Sequence, residues 1–217
     1  VKGLGWAAIE ELIHKRPFES VEDLLFDKGV VARKVNKKSL DALCRAGAME
    51  CLMDERFFGT KHFWSAVVVD KPKSKKKLGE NIEKYREEGD FTKAEVIAHY
   101  KTLSGIYPIN MVVPVKAYDF FEQYGIKPIS EYDRDLGKGW CVPTEVLLKK
   151  TKTGKAYYMV KVIDSNMEEQ KINCWGIDPQ KDFIYVNSLY VLEWPQYNDT
   201  WGFSTRGGLS RNWKMLG

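Results

Sequence analysis

The sequence is poor in the residues that build metal sites and disulfide frameworks. It has four cysteines and three histidines, and they form neither a C-x-x-C pair nor the spacing of a zinc site. We therefore expect Cys44, Cys51, Cys141 and Cys174 to be buried free thiols in a reducing cytoplasm. We also expect no metal ion and no cofactor in this chain.

Membrane and secretion signals are missing as well. No apolar run approaches the about 18 residues that a membrane span needs, and no signal peptide is visible. These absences exclude a membrane partner and predict a cytoplasmic protein. The chain opens on Val1 rather than on Met, so we interpret it as a fragment of something longer.

No charge of one sign dominates. The net charge is only +4 over 217 residues, so the total charge does not by itself indicate nucleic-acid binding. Acidic residues such as Asp133 and Asp135 form no convincing pair for two metal ions, so we expect no catalytic residue. Aromatic residues make up 13% of the chain, and such side chains either fill cores or stack on bases.

The first part of the chain has helical patterns, and we predict a helical DNA-binding region over residues 1–54. Apolar residues from Trp6 to Lys15 recur at helical spacing, and Ser20 and Asn36 are placed as N-caps of further helices. Residues 55–138 are predicted as a helical connecting region, in which Thr92 and Glu95 form a capping box. Its lysine-rich stretch, residues 71–77, is predicted as a solvated linker; the alternative is a loose phosphate clamp.

The second part, residues 139–217, changes to strand patterns. Apolar and polar residues alternate from Val142 to Lys149, around Val160, and around Ile172, with a turn at Gly154. Two more strands follow a connector, near Ile184 to Trp194 and near Trp201 to Thr205. Five strands with one interruption after the third predict a small OB-fold barrel, and hence an α+β protein.

A glycine-rich turn opens the chain and leads into the first helix. Lys2-Gly3-Leu4-Gly5 matches the second half of a helix-hairpin-helix motif, in which backbone N–H groups at the helix start face a DNA phosphate. We expect Gly5 to need a positive φ and to leave room for the phosphate. Lys37 and Lys38 are added as candidate DNA-binding residues. The alternative is an ordinary turn between helices.

The outward face of the predicted barrel is the second candidate site. If Val160, Val162, Ile172 and Cys174 point inward, neighbouring strands present a different set to solvent. That set is Tyr157, Lys161, Lys171, Asn173 and Trp175, and Lys149, Lys152 and Lys155 flank it in a turn. We expect aromatic rings here to stack on single-stranded bases and lysines to neutralise phosphates. The alternative is a solvated face whose aromatics dock on the preceding domain.

Three motifs in order carry a family resemblance. They are Lys2-Gly3-Leu4-Gly5, then Pro17 to Leu24, then Val35 to Met49 with its Val-Asn-Lys start and Ala-Gly-Ala end. Together with Tyr100 to Pro108 and the later strands, they resemble the DnaE-type alpha subunit of bacterial or phage DNA polymerase III. The resemblance implies duplex and single-stranded DNA as partners, along with other replisome subunits.

The same resemblance implies a division of labour within a DNA-directed DNA polymerase. The palm with its magnesium-binding aspartates would lie before Val1, and this fragment would be non-catalytic. The sequence departs from the family in residues 50–100, which lack the sliding-clamp peptide, and in the absent loader-binding domain. A shortened phage polymerase would fit both departures. The rivals are the DNA-binding part of a nuclease or ligase, and a protein-interaction module of a replication or repair complex.

Overall fold

The computed structural model describes residues 1–216, and by their contacts these form two compact units, Val1–Tyr107 and the residues from Pro108 onward. The first unit is helical and the second is built on a sheet. The predicted α+β order of helices followed by strands is therefore confirmed. Among the described residues, no helix has both the length and the apolar character to cross a membrane.

The first unit contains five α-helices joined by turns of other helical types. They are α1 (Trp6–Lys15), α2 (Lys37–Arg45), α3 (Thr60–Trp64), α4 (Lys75–Lys84) and α5 (Lys93–Ser104). Asp23–Asp27 and Ser65–Val69 are π-helical, and Glu50–Leu52 is a 3-10 turn. The predicted caps are present: Asn36 Oδ1 accepts the Ser39 N–H at 3.1 Å, and Thr92 and Glu95 form the capping box.

One apolar core runs through this unit on both sides of position 54. Val21, Leu40, Val67 and Leu78 are each at most 1% exposed and belong to the same cluster. The proposed boundary between residues 1–54 and 55–138 therefore does not coincide with a boundary between compact units.

The lysine-rich stretch 71–77 is not a linker, and this prediction was wrong. Helix α4 begins within it at Lys75, because Ser74 Oγ accepts the Lys77 N–H at 3.2 Å as an N-cap. Pro72 is buried, and Lys75 Nζ lies 2.7 Å from a carboxylate oxygen of Asp27. The stretch is thus fixed to the helical unit by the buried Pro72, by the Ser74 cap and by the ion pair of Lys75 with Asp27.

The second unit begins with a 3-10 turn at Ile109–Met111 and helix α6 (Val115–Gln123). Within residues 1–216 its strands number eight, and a short helix α7 (Leu209–Asn212) precedes the last of them. The strands are β1 (Lys127–Pro128), β2 (Lys138–Lys150), β3 (Ala156–Ile163), β4 (Gln170–Trp175), β5 (Leu189–Glu193), β6 (Gln196–Asn198), β7 (Gly202–Arg206) and β8 (Trp213–Leu216).

The strands form one curled sheet in the order β6-β7-β4-β3-β2-β5-β8, with β1 beside β2. The first residues of β2 pair with β5 and the later ones with β3, with a register shift between Pro143 and Glu145. Only Trp194 and Pro195 separate β5 from β6 in the sequence, although the two strands lie near opposite ends of this strand order. The short connection therefore joins the two edges of the curled sheet. All five predicted strands are present, and the structure adds β1, β6 and β8, which were not predicted.

The inside of this sheet is apolar, as the alternation predicted. Val160, Val162 and Ile172 are fully buried, and Cys174 is 1% exposed. They belong to one core cluster with Ile129 and other buried side chains of the second unit. The cysteines follow the expectation except for Cys51, which is exposed.

Asn81 fixes the end of the π-helical turn Ser65–Val69, and we predict a stability cost for its removal. Its fully buried Nδ2 donates to the carbonyls of Ala66 at 3.0 Å and Asp70 at 2.5 Å. Asn81→Ala leaves both carbonyls short of a donor, so the free energy of unfolding should fall by about 1–3 kcal/mol. Urea unfolding followed by circular dichroism measures this. The exposed Asn110→Ala is the control, and equal losses in both variants would refute the role of Asn81.

Candidate nucleic-acid interface

The glycine turn Val1–Gly5 is held against two helices of the first unit. The Lys2 N–H donates to the Leu103 carbonyl at 2.7 Å, which ties the turn to the end of α5. A Cβ on Gly3 would lie 3.5 Å from Cβ of Ala42 and 3.8 Å from Cε of Lys38, so α2 packs closely on the other side. The turn is therefore a fixed entry into α1.

The two glycines differ from the prediction in their conformations. Gly3 carries the positive φ, +94°, whereas Gly5 has an ordinary extended conformation with φ −83°. The expectation that Gly5 needs a positive φ was wrong, because the sharp reversal occurs two residues earlier. A Cβ on Gly5 would meet nothing within 4 Å, so the backbone there is open to approach.

The start of α1 has the electrostatics of an anion site. Its first turn contains no acidic residue, and among the described side chains none caps it. The Gly5 carbonyl accepts the Ala8 and Ile9 N–H groups, which leaves the earlier amides of the turn to outside partners. Lys2 is exposed, and its Nζ lies 4.0 Å from the position of a Cβ built on Gly105, at the end of α5. A phosphate at the start of α1 would therefore meet backbone N–H groups at the positive end of the helix dipole.

Only some of the predicted hairpin residues come together at this site. Lys2, Gly3, Gly5 and Lys38 lie around the turn. Lys37 instead donates to the Val69 carbonyl at 2.7 Å, and Leu4 packs against the core. Lys37 and Leu4 thus also contribute to the packing of the helical unit, although Lys37 remains exposed.

On the second unit, four outward side chains line up across neighbouring strands. Lys149 pairs with Tyr157, Tyr157 with Trp175, and Trp175 with Arg206. We call these four residues the aromatic row. The Tyr157 and Trp175 rings stack with centroids 4.3 Å apart and planes at 27°. The row thus places two stacked rings between two cations, which suits bases and phosphates of a single strand.

A groove opens beside the aromatic row. Its volume is about 620 Å³, and Trp175, Arg206 and the predicted Lys155 line it. The turn that carries Lys152 and Lys155 is closed by hydrogen bonds from Thr151 N–H to the Lys155 carbonyl at 2.9 Å and from Gly154 N–H to the Thr151 carbonyl at 3.0 Å. The lysines of this turn are therefore presented at one end of the sheet.

At the opposite end of the predicted face, Lys161 is neutralised by two glutamates. Lys161 Nζ lies 3.0 Å from a Glu145 carboxylate oxygen and 3.6 Å from one of Glu169, and these contacts raise its pKa. Lys171 is the strand partner of Lys161 and is exposed, while the Asn173 side chain donates to the Trp201 carbonyl at 3.5 Å. The structure therefore brings Tyr157 and Trp175 together with cations, but places Lys161 among acids.

Sequence reasoning missed Arg206 of this surface. Arg206 reaches the aromatic row because β4 and β7 pair in parallel, a long-range pairing that no local pattern reveals. Trp201, which is 75% exposed at the turn between β6 and β7, lies at the other end of β7, where its carbonyl accepts from the Asn173 side chain. Arg206 is therefore the residue added to the candidate interface.

Within residues 1–216 no group of three or more His, Cys, Asp or Glu side chains is placed to hold a metal ion. Burial raises the pKa of the Cys44 and Cys174 thiols to about 12. These two thiols are therefore protonated packing groups rather than nucleophiles or metal ligands.

In a comparison with known families, the model of the helix-hairpin-helix motif matches residues 1–57. Curated protein sequences give no significant match. The family match lies within the first unit and contains the glycine turn, α1 and α2. It supports a helix-hairpin-helix DNA-binding region at the start of the chain.

A side chain at Gly5 would meet no other atom within 4 Å, so substitutions at this position can test whether a phosphate of duplex DNA binds there. Gly5→Asp places a favoured N-cap residue at the start of α1, so helix stability should be kept or rise. Its carboxylate would repel a phosphate at the same amides, so duplex affinity should fall by about 1 kcal/mol, or about fivefold.

Gly5→Asn is the matched neutral control, because it has the same shape and caps equally well. Affinity for labelled duplexes of two unrelated sequences is measured by fluorescence anisotropy, with thermal unfolding on the same samples. Equal affinities of the Asp and Asn variants would show that no phosphate comes near this turn.

Proposed function

We propose that this chain is a DNA-binding, non-catalytic part of a replicative DNA polymerase, of the kind represented by the DNA polymerase III alpha subunit. The first unit grips the duplex backbone through the glycine turn, and the second binds single-stranded template on the aromatic row. The observation that carries the DNA-binding part is the family match over residues 1–57, at whose start Gly3 makes the sharp turn before α1.

The topology of the second unit supports an OB fold. In that fold the first strand of a Greek-key barrel pairs with the second and the fourth, and the third lies beside the fifth. Here β2 pairs with both β3 and β5, and β4 pairs in parallel with β7. On this proposal β5 and β6 together form the fourth strand, broken at Trp194, which has a φ of +51°.

The aromatic row supports single-strand binding on this fold. Strands corresponding to β3 and β4 are the usual nucleic-acid face of an OB barrel. Stacking on aromatics tolerates any base, and cations follow the backbone, so binding would be independent of sequence. The parent polymerase would hold its magnesium ions on a palm outside this chain. This chain would bind DNA and take part in no chemical step.

A protein-interaction module is the second candidate function. The connection between β4 and β5 exposes Phe183 and Tyr185, each 58% accessible, together with Val186. Exposed apolar side chains that are close in sequence can mark a docking surface for another subunit. Salt dependence separates the two candidates, because DNA binding weakens steeply with salt and apolar docking does not.

The aromatic row gives the test of the proposal. Trp175→Ala removes a stacking platform and should weaken binding of an oligothymidylate by about 1–3 kcal/mol. Arg206→Ala should lower the salt slope by about one, since it removes one phosphate contact. Lys161→Ala should change little, because Glu145 and Glu169 already neutralise that lysine.

Each variant is measured for oligonucleotide affinity over a salt series and for thermal stability. A folded Trp175→Ala protein with full affinity would remove the aromatic row as the binding site. A Lys161→Ala protein that loses more affinity than Arg206→Ala would place the strand at the other end of the sheet.

A further inference from the structure

The helical unit contains an apolar cavity remote in sequence from the glycine turn. Its volume is about 460 Å³, within the range of about 300–1,000 Å³ of small-ligand pockets. Leu24, Leu25 and Phe26 of the π-helical turn, together with Val30, form much of its wall. Lys71 and Lys73, on either side of the buried Pro72, complete the lining.

The ammonium group of Lys71 forms no ion pair with a carboxylate of the described residues. It is partly buried, and its Nζ donates to the Val35 carbonyl at 3.4 Å, a long hydrogen bond. Among the described residues no carboxylate lies within 4.0 Å of this ammonium group. Burial accordingly lowers the pKa of Lys71. A carboxylate brought to this point would gain from a partly desolvated ion pair and would stabilise the charged lysine.

The acids near this part of the chain are already occupied by other lysines. Asp27 pairs with Lys75 at 2.7 Å, and Asp70 pairs with Lys84 at 3.2 Å and with Lys77 at 3.8 Å. Lys73 is exposed at the same lining. The apolar wall therefore lies next to two lysines, Lys71 and Lys73, that form no ion pair among the described residues. Such a site is complementary to a ligand that joins an apolar group to a negative charge.

We propose that this cavity binds the C-terminal end of an acidic partner peptide. A large apolar last side chain fills the space beside Leu25 and Phe26, and its free carboxylate pairs with Lys71. Acidic residues before it lie toward Lys73. A peptide end is favoured over a nucleic-acid backbone, because phosphates and sugars offer no apolar group to fill the cavity.

The probe is the peptide Gly-Glu-Asp-Glu-Leu-Phe, labelled with fluorescein at its N-terminus and carrying a free C-terminus. Its binding to the full chain is measured by anisotropy. Two matched peptides test the chemistry: the same sequence as a C-terminal amide, and the sequence with Ala in place of the final Phe. We expect each to bind about tenfold more weakly than the probe. Equal affinity of all three peptides, or no binding by the probe, would overturn the proposal.

Two chain variants locate the site. Lys71→Met keeps the apolar stem and removes the charge, so the probe should bind about tenfold more weakly. Lys76→Met, in the same lysine-rich stretch but outside the cavity lining, should stay within about twofold. Thermal unfolding shows whether both variants are folded, and a misfolded Lys71→Met protein is replaced by Lys71→Gln in the same comparison.

Competition with a short oligothymidylate tests whether the cavity binds a nucleic acid instead of a peptide. If the oligonucleotide displaces the probe and its own affinity falls equally in Lys71→Met, the cavity is part of a nucleic-acid surface and the peptide proposal is wrong. If it leaves the probe bound, the peptide site is independent of DNA binding, and loss of either function would not affect the other.

Discussion

Four side chains, Val160, Val162, Ile172 and Cys174, fill the inside of the curled sheet, and the surface of the second unit depends on their burial. Because successive side chains of a strand point to opposite faces, burying these four fixes which residues of β3 and β4 face outward. A slip of one residue in β4 would bury the ring of Trp175, a slip in β3 would bury that of Tyr157, and either would expose core residues. The apolar inside thus determines where the aromatic row stands.

Charge then divides the surface that packing has positioned. Arg206 comes to one end because β7 lies parallel to β4, and Glu145 comes to the other because β2 pairs with Lys161 there. In the helical unit, the turn at Gly3 is fixed by α2 and α5 in a comparable way. On the proposed function, both candidate sites would contact DNA through its backbone and by stacking, and neither would require a particular base sequence.

Local signals predicted much of this fold, and long-range pairing explains most of what they missed. Capping residues such as Asn36 and Thr92 marked helix starts correctly, because a cap acts within one turn. The cap at Ser74 was equally local, but the lysines around it concealed it. Arg206 depends on the pairing of β4 with β7, which lie far apart in sequence, and the pairing of Lys161 with Glu145 depends on the register of the β2–β3 hairpin, which is shifted between Pro143 and Glu145. The φ of Gly5 was misjudged because a G-x-G pattern does not say which glycine makes the turn.

The most direct test of the central claim, two separate DNA-binding surfaces, is an NMR titration of the isotopically labelled chain. A short duplex and an oligothymidylate are added in turn, and backbone amide shifts are followed. We expect duplex-induced shifts at residues 2–7 and 38, and single-strand-induced shifts at Tyr157, Trp175 and Arg206. Shifts confined to the loop around Phe183, or none with either DNA, would contradict this claim.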